Sequence, residues 1–163
     1  MAATSIVKAG IAAGVYKNTG TYGSPTWTLQ TLIKDVSPSF PWDMVDASVR
    51  GTRAKLYAKT QIDLAFQIVM RADDADTIYG AWVDAAFSPT TKFDLLILDG
   101  LIAVEGARGI RAEFVVGMSQ QTQAIGDIVF STFDIKPAPG TVLTNYPSSV
   151  VMGASSTPTF TAF

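Results

Sequence analysis

The chain has 163 residues, of which 48% are apolar and 16% charged, with a net charge of −2. A single domain of this length buries roughly 70% of the surface its unfolded chain exposes. A pI near 4.9 with no run of basic residues excludes phosphate-driven nucleic-acid binding, and the absence of cysteine excludes both a disulfide framework and a thiolate site.

The charged share lies well below the usual quarter, and mean hydropathy is +0.27. Too few charges are present to cover an ordinary monomer surface, so part of the outside is expected to be buried by self-association. The first stretch, "MAATSIVKAGIAAGVY", is broken by Lys8 and lacks the charged start and sustained apolar core of a signal peptide. Synthesis and assembly in a cytoplasm are therefore expected. Residues 1–26, with turn signals at Gly20, Gly23 and Pro25, read as an extended N-terminal arm.

Residues 27–139 carry the periodicity of the body. "WTLQTLIKDV" alternates as a strand, and "QIDLAFQIVM" does so more regularly, placing Ile62, Leu64, Phe66, Ile68 and Met70 on one side and Gln61, Asp63, Ala65, Gln67 and Val69 on the other. The first set is core. In "ADDADTIYGAWVDAAF" the apolar positions Ala75, Ile78, Tyr79, Trp82 and Ala86 recur at helical spacing, with Asp73, Asp74 and Asp76 at the start and Pro89 beyond the end. A helix over about 73–87 follows. "FDLLILDG" ends in a hairpin signal at Asp99-Gly100. "GIRAEFVV" points Ile110, Ala112, Phe114 and Val116 inward with Arg111 and Glu113 outward, and "DIVFSTFDIKP" is read as the last strand, stopped by Pro137. No stretch reaches the roughly 20 apolar residues of a membrane-spanning helix.

From residue 140 to 163 the chain holds no charge but keeps Val142, Leu143, Tyr146, Val150, Val151, Met152, Phe160 and Phe163. A disordered tail ordinarily pairs low hydrophobicity with high charge, so this segment reads as a C-terminal arm that lies on an apolar surface. The expected fold is mainly β: an antiparallel sandwich or rolled barrel with one helix and extended arms at both ends.

Catalytic chemistry finds little to work with. Histidine is absent, which removes the commonest general base and metal ligand. No G-x-S-x-G, P-loop or G-x-G-x-x-G occurs, and the cluster Asp73, Asp74 and Asp76 lacks the glycine and terminal Glu of a calcium loop. The reading is a non-enzyme without a cofactor or metal.

The order of these segments carries a resemblance. A D-x-T/S-x-R-G-like turn at Asp46 to Gly51, a G-x-R-A-x-F strand at Gly109 to Phe114, and an Ile125-Gly126-Asp127 turn leading to a strand that ends in Lys136-Pro137 together resemble the tail tube (major tail) proteins of long-tailed bacteriophages and prophages. The resemblance covers about residues 27–139; Ala47-Ser48-Val49 lacks the usual Thr, and the end segments have no counterpart. It implies subunits that self-assemble into stacked hexameric rings, closing an inner β-barrel through which DNA passes from capsid to host without specific binding. It also implies a place in the virion and tape-measure, tail terminator and baseplate proteins as partners.

On that reading Gln61, Asp63 and Gln67 face the tube lumen, while Ile62, Leu64, Phe66 and Ile68 pack against Ile78, Tyr79 and Trp82, with Phe114 in the same core. The long loop "SPSFPWDMVDASVRGT" becomes the ring-stacking element, with Phe40 and Trp42 as anchors and Arg50 or Arg53 as partners for acidic residues of the next ring. Two other classes fit the same composition. One is the tube protein of a contractile injection or secretion machine; the other is a carbohydrate-binding or adhesin module using Trp27, Trp42 or Tyr146.

Overall fold

In the computed structural model the described residues are 14–48, 55, 57–122, 128–138, 148–153 and 158–162, with the backbone alone at 42, 60–62 and 162. They form an antiparallel β-sandwich with one helix. In chain order the elements are β1 (Gly14–Asn18), β2 (Trp27–Leu29), β3 (Ile33–Ser39), β4 (Trp42–Asp46), β5 (Tyr57–Ile62), β6 (Ala65–Arg71), α1 (Thr77–Phe87), β7 (Phe93–Leu98), β8 (Arg108–Thr122), β9 (Phe130–Pro137), β10 (Ser148–Met152) and β11 (Pro158–Ala162).

The fifteen-residue strand β8 organises the sandwich. Its first part, residues 108–114, pairs with β7 on one edge, and on the other edge β10 and β9 follow end to end at 108–111 and 114–122. One layer is therefore β2-β1-β7-β8-β10-β11 and the other β8-β9-β6-β3. Between them lies the main core, where Phe66, Ile68, Met70, Phe114, Phe133 and Ile135 meet Tyr79, Trp82 and Ala85 of α1. The alternation of "AFQIVMR" produces this directly: Phe66, Ile68 and Met70 are buried, and Ala65, Gln67, Val69 and Arg71 point the other way.

Helix α1 is shorter at its start than the expected 73–87. Asp73 instead forms a turn, its carbonyl accepting from Asp76 N–H at 2.9 Å, and the Asp76 carboxylate caps the helix by accepting from Ile78 N–H at 2.7 Å. The acidic residues thus precede the first turn, and Asp76 satisfies one of its orphan donors. Within the core, the Trp82 indole N–H donates to the Gln30 side chain at 3.0 Å, and the Tyr79 and Ser131 hydroxyls lie 2.8 Å apart. Gln30 sits where "WTLQTLIKDV" breaks into β2 and β3, its own N–H held by the Val15 carbonyl.

A second apolar cluster covers the far face of the first layer. Tyr16, Leu96, Leu98, Ala107, Val150 and Met152 form it, which is why β7 is buried on both sides. Val150 and Met152 of this cluster come from β10, which with β11 is absent from the sequence reading; both follow Pro137, so β9 is not the last strand. The segments read as arms contribute β1, which pairs with β2 and β7, and β10, which pairs with β8 and β11. Residues 1–13 and 139–147 lie outside the described residues.

Arg111 was expected to point to solvent and instead is buried in this second face, 4% exposed at its side chain. Its Nε and Nη2 donate to the two Asp94 oxygens at 3.1 and 2.6 Å, and Nη2 also donates to the Tyr22 carbonyl at 2.7 Å. The guanidinium lies 3.7 Å from the Tyr22 ring centroid, with Trp27 and Phe160 rings at 5.1 and 5.0 Å. Burial lifts the Tyr22 phenol above its ordinary value against the pull of the Arg111 charge. Asn18 Nδ2 donates to Asp94 as well, at 2.8 Å. A buried charge persists only when paired and fully hydrogen-bonded, and here that requirement draws the 19–26 turn, β2 and β11 over one point.

Candidate assembly surfaces

The outer face of the β8-β9-β6-β3 layer carries amides, hydroxyls and charges of both signs. Register places Ser37, Gln67, Asp134 and Gly117 in one row across the four strands, and Asp35, Val69, Thr132 and Gln120 in the next. Gln67 Nε2 donates to Asp134 at 3.1 Å, and the Lys136 ammonium lies 3.5 Å from the Asp63 carboxylate. The layer carries carboxylates at Asp35, Asp63 and Asp134 and cations at Lys136, Arg71 and Lys34; Arg71 pairs with Asp73 at 3.3 Å, and the Lys34 ammonium lies 4.4 Å from the Phe130 ring centroid. Of the residues expected on this face, Asp63 and Gln67 are exposed and join it through Lys136 and Asp134, while the Gln61 side chain lies outside the described residues. Asp134, Lys136 and Ser37 were missed. The alternation in "FSTFDIKP" would have found two of them, since Ser131, Phe133 and Ile135 are buried and Asp134 and Lys136 are exposed.

Both lateral edges of this layer are open among the described residues. Strand β3 pairs only with β6, and β8 beyond Phe114 pairs only with β9. Unpaired edges of this length present rows of unsatisfied N–H and C=O groups, which a stable protein covers or pairs.

The segment expected to be a long loop is mostly ordered as strand. Residues 37–39 belong to β3, and β4 and β5 form a separate two-stranded hairpin that pairs with no other strand among the described residues. Met44, Val45 and Tyr57 on this hairpin are 59%, 54% and 58% exposed. An isolated hairpin is marginal in water, so three such side chains call for a partner surface. At its tip, the Ser48 hydroxyl and then its backbone N–H hold the Asp46 carboxyl below its ordinary value. Phe40, at the base, is half exposed and packs edge-on against Phe66 with ring centroids 5.8 Å apart. Arg50 and Arg53 and the Trp42 side chain lie outside the described residues. Of the core candidates, Leu64, Phe66, Ile68, Trp82 and Phe114 are buried and Ile78 is partly buried against them; the Ile62 side chain is not described.

Among the described residues no cluster of His, Cys, Asp or Glu could hold a metal ion, and no helix is long and apolar enough to cross a membrane.

No family model and no curated protein matches the sequence. Solved structures do match. The tail of an empty GTA particle, refined with C6 symmetry, superposes with a TM-score of 0.63 over 96% of this chain and 100% of that one, at 11% identity. The SPP1 tail tube superposes with a TM-score of 0.62 over 78% of this chain and 74% of that chain, at 5% identity. This chain has the tail-tube fold.

That fold gives the resemblance motif a physical reading. In Gly109–Phe114, Gly109 lies where β7 and β10 both press on β8, and a Cβ there would fall 1.9 Å from the Ile97 carbonyl oxygen. Arg111 makes the ion pair, and Ala112 and Phe114 are fully buried. In this chain the motif is a packing feature of the sandwich. The Asp46–Gly51 turn is described only to Ser48, where Asp46 accepts from the Ser48 N–H at 2.9 Å, and the 125–127 turn lies outside the described residues.

Proposed function

We propose that this chain is a virion structural protein, assembled in the host cytoplasm into stacked hexameric rings that form the tail tube through which DNA passes to the host. The observation that carries the reading is the tail-tube fold combined with a four-stranded layer whose two edges are unpaired among the described residues. Joining β3 of one subunit to β8 of the next satisfies both edges, and repetition around a ring closes a barrel without edges. Head-to-tail contacts of this kind close when the rotation closes, and a second contact that does not close stacks rings into a filament. The tape-measure, terminator and baseplate proteins are the partners this role requires.

In such a barrel the face bearing Asp63, Gln67 and Asp134 lines the lumen. A lumen rich in Lys and Arg would hold phosphates, whereas mixed charges tied in pairs, with amides and hydroxyls between them, let a polyanion slide. Particles carrying Asp63→Lys are expected to build intact tubes but to eject DNA more slowly, seen as delayed and reduced infectivity. Normal infectivity with intact tubes would remove Asp63 from the lumen.

The hairpin is the ring-stacking element on this reading. Met44→Lys with Tyr57→Lys is expected to leave the thermal midpoint within the roughly 0.5 kcal/mol range of surface changes while abolishing tubes and leaving rings. Tubes of normal length would exclude the hairpin from stacking. The direct test of the whole reading is negative-stain electron microscopy of the purified protein over a concentration series: hollow tubes or six-fold rings support it, and a monomer at every concentration, with or without a tail initiation complex, opposes it.

A further inference from the structure

The two sides of the sandwich that carry the open edges differ in shape. On the β3 side the layers part, leaving an apolar cleft of about 360 Å³ walled by Val36, Pro38, Phe40, Phe66, Ile97 and Ile110, with Arg108 among its lining residues. The β8 side carries the helix instead. There β7 leaves β8 at Phe114, and α1 lies against β8 beyond it, the Gln121 amide 3.4 Å from the Tyr79 hydroxyl. The inner face of α1 is used by Tyr79, Trp82 and Ala85. Its outer face presents Asp84 and, one turn on, Phe87, which is 78% exposed.

From this asymmetry we infer that α1 of one subunit docks into the β3-side cleft of its ring neighbour, with Phe87 in the apolar cleft and Asp84 against Arg108. The inference rests on the ring reading above and names the lateral contact within it. Three observations support a second copy as the occupant. Pairing the open β3 edge of one subunit with the open β8 edge of the next brings the cleft of the first beside α1 of the second, because cleft and helix flank those same edges.

The levels are compatible. Pro38 pairs with Phe66, Phe66 with Ile135, and Ile135 with Val116, while the short link 88–92 ties Phe87 to Phe93, which pairs with Phe114 two residues away on the same strand. The charges are compatible as well: Asp99 also lines the cleft but its carboxylate accepts from the Arg108 N–H at 2.7 Å, whereas neither the Asp84 carboxylate nor the Arg108 guanidinium pairs with another described side chain. An aromatic anchor entering an apolar pocket with a charged pair at its rim is the usual make-up of an interface hot spot.

The chain contains no cysteine, so engineered pairs report cleanly. The variant carrying both Phe87→Cys and Pro38→Cys, cross-linked with a short bis-maleimide at concentrations where rings are seen by electron microscopy, is expected to give a ladder extending to the hexamer on a denaturing gel. Each single variant is expected to give none. Rings that form without the ladder overturn the docking inference and leave the ring reading standing, whereas an unsubstituted protein that is monomeric at every concentration overturns both.

A charge reversal supplies the second measurement. Asp84→Arg is expected to raise the concentration for ring assembly about tenfold with an unchanged melting curve, and adding Arg108→Asp is expected to restore it. Absence of that rescue excludes the Asp84–Arg108 pair.

Discussion

Replacing Arg111 by Leu is expected to lower the folding free energy by about 3–5 kcal/mol, the cost of leaving one member of a buried ion pair unpaired. The Asp94 side chain is 11% exposed, so little water reaches the stranded carboxylate. Asn18 Nδ2 would remain as its donor, but one amide does not replace a bidentate guanidinium. The same substitution removes the donor to the Tyr22 carbonyl and the cation under three aromatic rings. Urea denaturation measures the loss, and hydrogen exchange is expected to show β11 and the 19–26 turn losing protection first. Changing both partners, Arg111→Met with Asp94→Leu, is expected to recover most of the loss, because an apolar pair carries no desolvation cost. A loss below about 1 kcal/mol for the single variant would mean that the pair is screened.

Gly109→Val is the second large effect, at about 3 kcal/mol or more from forced overpacking. Its Cβ would meet the Ile97 carbonyl oxygen at 1.9 Å and the carbonyl carbon at 2.8 Å, both backbone atoms of the paired strand β7. No rotamer change relieves a clash with backbone, so β7 and β8 must separate. Gly117 on the same strand is the control, since a Cβ there lies 3.8 Å from its nearest neighbour, the Asp134 carbonyl oxygen. Gly117→Ala is expected to be neutral or to gain up to about 1 kcal/mol by restricting the unfolded chain. Thermal melts of the two variants side by side decide the matter, and similar midpoints would refute the close-approach account.

Much of the fold was legible because it follows from local period. The mainly β class with a single helix, the burial of Phe66, Ile68 and Met70 in alternation, and the helical spacing that buries Tyr79 and Trp82 all depend on which residues recur every second or every third to fourth position. The start of the helix was misjudged by one turn, since Asp residues serve equally well inside a first turn and as a cap before it. The Asp99-Gly100 pair does lie at the β7–β8 hairpin, but the connection runs on to Ala107, with Gly106 at φ +82° and the loop held by the Met152 backbone. That partner is distant in sequence and left no local signal.

Arg111 shows where local reading stops. Within "GIRAEFVV" alternation assigns it correctly to the face opposite Ala112 and Phe114, yet alternation cannot say whether that face meets water or a second layer. Asp94, the sole charge in "FDLLIL", was a usable hint of a buried ion pair with a cation on a neighbouring strand. The outer face of β6 poses the same question in reverse. Parity separates Gln67 from Phe66 and Ile68, but its neighbours Ser37 and Asp134 come from β3 and β9, and only pairing register gathers them into one surface.

By itself, then, the amino-acid order determined the class of the fold, the inward side of its regular strands and helix, and the shortage of charge that points to assembly. Tertiary structure decided which polar residues are buried, how the uncharged C-terminal segment joins the sheet through β10, and which strand edges stay open. The division has a physical cause: periodicity is a property of a few consecutive residues, whereas burial of a face and pairing of an edge depend on segments brought together from tens of positions apart.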